Sequence, residues 1–138
     1  MEMFRPSILR LCFVSRAACH FTIGEKSQEF MSPNYDTDGY PNSQLCSWRI
    51  LVENKNPPTE QILIKFPEFH LQKGKDGDKV SIYDGWDDRS PLLAEFNGNY
   101  PPADMSVASN SHVVYVVFTS DSQGKSKGFR GLFLNQSK

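Results

Sequence analysis

The chain has 138 residues, 15 Lys and Arg against 16 Asp and Glu, and a formal net charge of −1. That length holds one domain with a single core, and the near-neutral balance offers no basic field to a phosphate backbone, which argues against nucleic acid as a partner. Nine prolines, nine glycines and 12% aromatic residues fit short, punctuated elements rather than long helices. No apolar run approaches the roughly 18–20 residues of a membrane span.

Residues 1–18 do not resemble the rest. Arg5, the apolar stretch Ile8 to Val14 and the pair Ala17-Ala18 outline a secretory leader, although Arg10 interrupts the apolar part and Arg16 follows it. A leader, a linker from an upstream domain and a misassigned start of the coding sequence are the three readings of this segment. The domain proper is expected over residues 19–135. Cys12 falls in the leader-like segment, whereas Cys19 and Cys46 lie just before and within strand-like sequence. An odd cysteine count allows one internal disulfide with one thiol left over. Closing the Cys19–Cys46 loop would stabilise the fold by roughly 3 kcal/mol in the chain-entropy picture. Counting alone leaves three reduced thiols open as the alternative.

From Phe21 onward the pattern is β. Phe21 and Ile23 alternate, and Ser32-Pro33-Asn34-Tyr35 opens a turn-rich run that ends at Tyr40-Pro41-Asn42. Cys46, Trp48 and Ile50 share one face of the next strand. Glu53 to Thr59 is a turn holding Pro57-Pro58. Ile62, Ile64 and Phe66 alternate up to Pro67, which is expected to stop the strand, and Phe69 and Leu71 continue an apolar edge. Val80 and Ile82 form a half-buried strand with the carboxylate of Asp78 at its entrance, and Asp84-Gly85 closes it in a tight turn. Trp86 to Pro91 is a loop, Leu92-Leu93 starts a short strand, and Asn97 to Pro102 is a further turn cluster. His112 to Phe118 is apolar at nearly every position, as expected of a strand covered on both faces. After the polar loop Ser120 to Lys127, Phe129, Gly131 and Phe133 alternate again. About eight to ten short strands without a helical period predict an all-β sandwich or barrel.

The order of several short motifs is more specific than any one of them. In sequence they are Cys19, Ser32-Pro33-Asn34-Tyr35, Tyr40-Pro41, Cys46-Ser47-Trp48-Arg49-Ile50 and Phe66…Phe69-His70-Leu71, followed by Asp78-Lys79-Val80-Ser81-Ile82-Tyr83-Asp84-Gly85, Ser90-Pro91-Leu92-Leu93, Ser109-Asn110, Phe118-Thr119-Ser120-Asp121 and Gly128-Phe129. The series resembles the CUB domain family, an extracellular module. The resemblance implies a β-sandwich of two antiparallel sheets with jelly-roll-type topology. It also implies a disulfide between Cys19 and Cys46 and an oxidising, extracellular or secreted setting. A second family disulfide would join the positions of Lys75 and Asn97, so both partners are missing together and that region is expected to be softer.

Many members of the family hold Ca²⁺ at one end of the sandwich, where loops from distant parts of the chain supply the six to eight hard oxygens the ion requires. By the resemblance Asp78 and Asp121 match two aspartate ligands and Tyr40 a supporting tyrosine. Gln72 stands where the family places a glutamate, which removes one formal charge and weakens the site. Asp76 and Glu68 are alternative carboxylates, and Gly124 replaces an asparagine. In the family such a site often receives a lysine or arginine of a protein partner, whose cation pairs with the acidic ligands.

Trp48 is expected in the core. Trp86 is either an apolar lid on its loop or an exposed aromatic for a partner or a sugar face. Lys125, Lys127 and Arg130 form a small basic cluster, either solvated or a contact for a sulfated glycan. Asn135-Gln136-Ser137 is a glycosylation acceptor sequence, meaningful in the secretory pathway. His20, His70 and His112 have no metal-ligand spacing, and no nucleophile motif or phosphate loop occurs. Taken together, the expectation is a non-catalytic extracellular protein-binding module with a degenerate Ca²⁺ site. The alternatives are a glycan-binding module of the spermadhesin type and a targeting domain of a longer extracellular protease.

Overall fold

The computed structural model describes residues 19–35, 37–53, 60–74, 77–103, 106–121 and 126–137. Cys12 and the rest of the leader-like segment, together with Lys75, Asp76, Gly124 and Lys125, lie outside the described residues. The strands are β1 (Cys19–Gly24), β2 (Glu29–Met31), β3 (Leu45–Leu51), β4 (Glu60–His70), β5 (Lys79–Tyr83), β6 (Leu92–Asn97), β7 (Val107–Ala108), β8 (Val113–Thr119) and β9 (Gly128–Ser137). One sheet has the order β2-β9-β4-β7 and the other β1-β3-β8-β5-β6. The two sheets form the expected all-β sandwich.

Every strand pair is antiparallel except β1 with β3, which run parallel and set Cys19 beside Cys46. A disulfide joins these two cysteines across a Cα separation of 4.7 Å. The bond fastens an edge strand that otherwise holds to the sheet on one side only.

Alternation along the strands builds the core. Trp48, Ile50, Val80, Ile82, Val114, Val116 and Phe118 are buried from one sheet, and Phe30, Ile62, Ile64, Phe129 and Phe133 from the other. Phe129 is the hub: the rings of Phe30, Trp48, Phe66, Phe69 and Phe118 surround it at centroid distances of 5.3 to 6.2 Å. Burying a side chain of this size contributes roughly 1.5–3 kcal/mol.

Two expectations change in detail. Pro67 does not end its strand; β4 continues to His70. The register with β9 passes from Lys65 opposite Leu132 to Glu68 opposite Arg130, so Phe66 and Pro67 together face Gly131. A proline has no N–H to give the ladder, and a bulge is where a sheet tolerates that loss. Gly131 completes the arrangement, because a Cβ there would meet the Phe30 ring at 2.4 Å. In β8, Val114, Val116 and Phe118 are fully buried whereas Tyr115 and Val117 are half-buried. The outer face of that strand is covered only in part, by side chains described below.

Candidate functional site

The site lies at the end of the sandwich where β5 and β3 begin and β8 ends, with Tyr40, Gln72 and Asp121 from the adjoining segments around it. Its centre is the pair Tyr40 and Asp78, both fully buried. Tyr40 packs edge-on against Phe118, with ring centroids 5.0 Å apart. Its hydroxyl donates to Asp78 Oδ2 and accepts the Gln72 backbone N–H at 2.9 Å. The other carboxylate oxygen, Oδ1, accepts the Asp121 N–H at 2.8 Å. Asp78 is thus the point at which three loops meet.

Ser120 holds the tyrosine segment in place. Its hydroxyl accepts the Gln44 N–H at 2.8 Å and donates to the Pro41 carbonyl at 2.9 Å. Two main-chain bonds, Ser43 N–H to Asp121 O at 2.7 Å and Ser120 N–H to Gln44 O at 3.0 Å, complete the clamp.

The electrostatics follow from burial. Removal from water pushes the Asp78 carboxyl above the usual aspartate range; Tyr40 and the Asp121 N–H oppose that rise, and the Asp121 charge adds to it. Burial, chiefly, and then the bond to Asp78 push the Tyr40 phenol well above its ordinary value. The phenol is therefore a permanent donor to the carboxylate at any physiological pH.

Of the residues expected to ligate, Asp121 meets Asp78 through its backbone N–H, and Gln72 meets the supporting Tyr40 through its backbone N–H. Gln72 contributes its backbone N–H to the network, and its side-chain Oε1 is buried without a hydrogen-bond partner. The alternative carboxylate Glu68 is engaged elsewhere, 3.6 Å from Lys127 Nζ, and Asp76 and Gly124 lie outside the described residues. Beside the network opens a cavity of about 420 Å³, walled by Thr119, Ser120 and Asp121 and by the Lys79–Glu95 ion pair at 3.4 Å. Among the described residues no three of His, Cys, Asp or Glu converge. A hard cation at this end would meet two carboxylates plus neutral oxygens. A buried carboxylate raised by desolvation and a buried amide oxygen with no donor are groups that a hard cation would satisfy, so the residues present fit a low-charge Ca²⁺ site.

The remaining candidates are distributed. Trp48 is buried as expected, and Trp86 is 56% exposed. Of the basic cluster, Lys127 lies 3.6 Å from Glu68 and Arg130 pairs with Glu29 at 2.8 Å, while Lys125 lies outside the described residues. Asn135 lies inside β9 opposite the buried Ile62, and its Oδ1 is buried without a partner. Asn97 ends β6, where its Oδ1 accepts the N–H groups of Asn99 and Tyr100 at 2.8 and 2.7 Å. Sequence reasoning did not find Gln44, which is buried and leaves its own Oε1 without a partner at this same end. No local pattern marks a lone glutamine between a turn and a strand.

The chain was compared with known proteins. It is 31% identical over 115 residues to zinc metalloproteinase nas-39 of Caenorhabditis elegans, covering 82% of this chain and 12% of that protein. It is 36% identical over 117 residues to cubilin of Canis lupus familiaris, covering 82% of this chain and 3% of that protein. To the dorsal-ventral patterning protein tolloid of Drosophila melanogaster it is 37% identical over 107 residues, covering 75% of this chain and 9% of that protein. The chain thus spans a small part of the length of these relatives. Among solved structures, the CUB1-EGF-CUB2 domains of rat MASP-1 superpose with a TM-score of 0.70 at 23% identity, covering 85% of this chain and 42% of that one. A MASP-1 CUB2 domain described as bound to Ca²⁺ superposes with a TM-score of 0.64 at 23% identity, covering 84% and 96%. At that identity the structures speak for the fold. The family match covers residues 19–133 under the description CUB domain, and the chain belongs to that family.

Proposed function

We propose that this domain is a non-catalytic extracellular module that binds a protein partner through the Tyr40–Asp78–Asp121 end of the sandwich. Asp78, Asp121 and Gln72 would hold Ca²⁺ there, with Tyr40 in support. The observation that carries the reading is the fully buried Asp78 carboxylate, bonded by Tyr40 and by Asp121, with the unpartnered Gln72 oxygen at the same end. When bound, the ion supplies a fixed positive charge against which both carboxylates stay ionised. The residues do the rest. Tyr40 and the Asp121 N–H orient Asp78, and Asp121 lines the open cavity, where a lysine or arginine of the partner finds an acidic wall. The Lys79–Glu95 pair lines the same cavity.

The extracellular setting rests on the Cys19–Cys46 disulfide and on the relatives. A targeting role beside a protease domain is favoured by the likeness to nas-39 and tolloid, and it is compatible with the same site.

With two carboxylates the affinity is expected in the range of about 10⁻⁴–10⁻³ M found for extracellular modules. Ten millimolar Ca²⁺ at a Kd of about 1 mM stabilises by about 1.4 kcal/mol. Thermal melting with and without Ca²⁺ should show a rise of a few degrees for the wild type and none for Asp121→Ala. A wild-type melting temperature that Ca²⁺ leaves unchanged, or an equal rise in Asp121→Ala, removes the ion from the proposal.

A further inference from the structure

The outer face of the five-stranded sheet carries a second surface, chemically opposite to the acidic end. Arg49 on β3 lies opposite Tyr115 on β8, which lies opposite Tyr83 on β5 and, one strand further, Leu92 on β6. The loop after β5 folds back across β8, so that Trp86 reaches Arg49. The Arg49 guanidinium sits between two rings, 4.8 Å from the Trp86 centroid and 5.1 Å from that of Tyr115. Its Nε donates to the Trp86 carbonyl at 2.8 Å. Tyr83 and Tyr115 lie side by side at 6.4 Å. Trp86 and Leu92 are 56% and 54% exposed.

That arrangement fixes Arg49 and leaves its chemistry unspent. Two rings and one hydrogen bond hold the guanidinium, and among the described residues no acceptor meets its two terminal nitrogens. A guanidinium fork held in this way is pre-organised for two parallel bonds to a carboxylate, with little rotamer entropy left to lose. Around it stand Trp86 and two tyrosines, residue types that dominate binding energy at protein interfaces, with the exposed Leu92 adding apolar area beside them. Asp84, Asp87 and Asp88 lie beside Trp86 in the chain; Asp84 accepts the Asn110 N–H and the Ser111 hydroxyl, and Asp87 pairs with Arg89 at 3.4 Å. They favour a ligand with a single negative charge beside apolar groups and disfavour an extended polyanion, whose further charges would meet theirs.

We propose that this face docks an acidic protein segment, with one Asp or Glu carboxylate on Arg49 and an adjacent large apolar side chain on Trp86 and Leu92. The surface is separate from the acidic end. The Arg49–Tyr115–Tyr83 row stands four residues along the strands from the Thr119–Lys79 pair, about 13 Å at the rise of a strand. Docking here needs no divalent ion.

A random 12-residue peptide library displayed on phage and selected on the folded chain in EDTA tests this. Enriched peptides should pair an acidic residue with a neighbouring Leu, Ile, Phe or Trp. Synthetic copies should lose at least tenfold in affinity when that acid becomes Asn or Gln. Arg49→Met and Leu92→Asp should each weaken binding at least tenfold. Leu92→Asp serves as the second variant because its exposed position leaves the core untouched. Four outcomes would overturn the proposal: no enrichment over a blank surface, peptides indifferent to the acid or to both variants, capture of a sulfated oligosaccharide in preference to the peptides, and a self-associating chain whose dimer Leu92→Asp dissolves. The EDTA condition separates this test from the Ca²⁺ proposal, since either can fail while the other stands.

Discussion

Tyr40→Phe isolates the central contact of the acidic end, because it removes one oxygen and keeps the ring that packs on Phe118. The lost hydroxyl serves two groups, the Asp78 carboxylate and the Gln72 N–H. The Gln72 N–H is only partly buried, so its loss costs about 1 kcal/mol. The bond to a fully buried ionised acceptor costs about 1.5–3 kcal/mol more. The expected loss is about 2.5–4 kcal/mol, which for a domain of this size lowers the melting temperature by about 10 °C. Urea denaturation at pH 7.5 in EDTA, with the disulfide intact, measures the loss directly. A double-mutant cycle with Asp78→Asn should give a coupling energy of at least about 1.5 kcal/mol, since the two side chains act as one unit. A loss below about 0.5 kcal/mol, or additive single changes, would refute the assignment of Asp78 as the residue on which the three loops depend.

Two further outcomes follow from the same end of the molecule. Asp78 has a folded-state pKa above its unfolded value near 4. The folded chain therefore binds that proton more tightly, and its contribution is fully present below pH 4 and lost as pH rises through the folded-state value. In EDTA the stability of wild type minus that of Asp78→Asn should rise on acidification from pH 7 to 4; a flat or falling difference contradicts the burial argument. Gly98→Ala places a Cβ 2.5 Å from both the Leu71 and the Gln72 carbonyl oxygens, and backbone cannot give way as a side chain can. We expect it to cost about 1–3 kcal/mol and to raise amide exchange from Leu71 to Gly74, whereas an unchanged urea midpoint would show that the contact is not tight in solution.

The fold was legible because alternation is a direct imprint of a two-sided sheet. Cys46, Trp48 and Ile50 read as one inward face, and they are one. Pro67 differs from expectation because the sequence of β4 shows the missing N–H but not the bulge opposite Gly131 that absorbs it. The HVVYVVF segment has the composition of a strand covered on both faces, yet Tyr115 and Val117 are only half-buried. Tyr115 is covered instead by Arg49, itself held by the loop residue Trp86, and no local period connects either to β8.

The acidic end was legible in its charges and not in its support. Asp78 and Asp121 stand at strand ends with a recognisable motif around each, so the pair could be named from sequence. What fixes them is mostly main chain: the Gln72 and Asp121 N–H groups, the Ser120 clamp on Pro41 and Gln44, and the close approach of Gly98 to residues 71–72. The last of these bears on the missing disulfide. Where the family resemblance implies a second disulfide at the positions of Lys75 and Asn97, this chain turns at Asn97 through two side-chain bonds, and Asn99 Nδ2 donates to the Gly74 carbonyl at 3.2 Å. Exposed hydrogen bonds contribute about 0.5–1.5 kcal/mol each, less than a covalent loop closure. The strands of the acidic end are thus held by packing while its loops are held by polar contacts, and a cation drawing those loops together would add most where the covalent bond is absent.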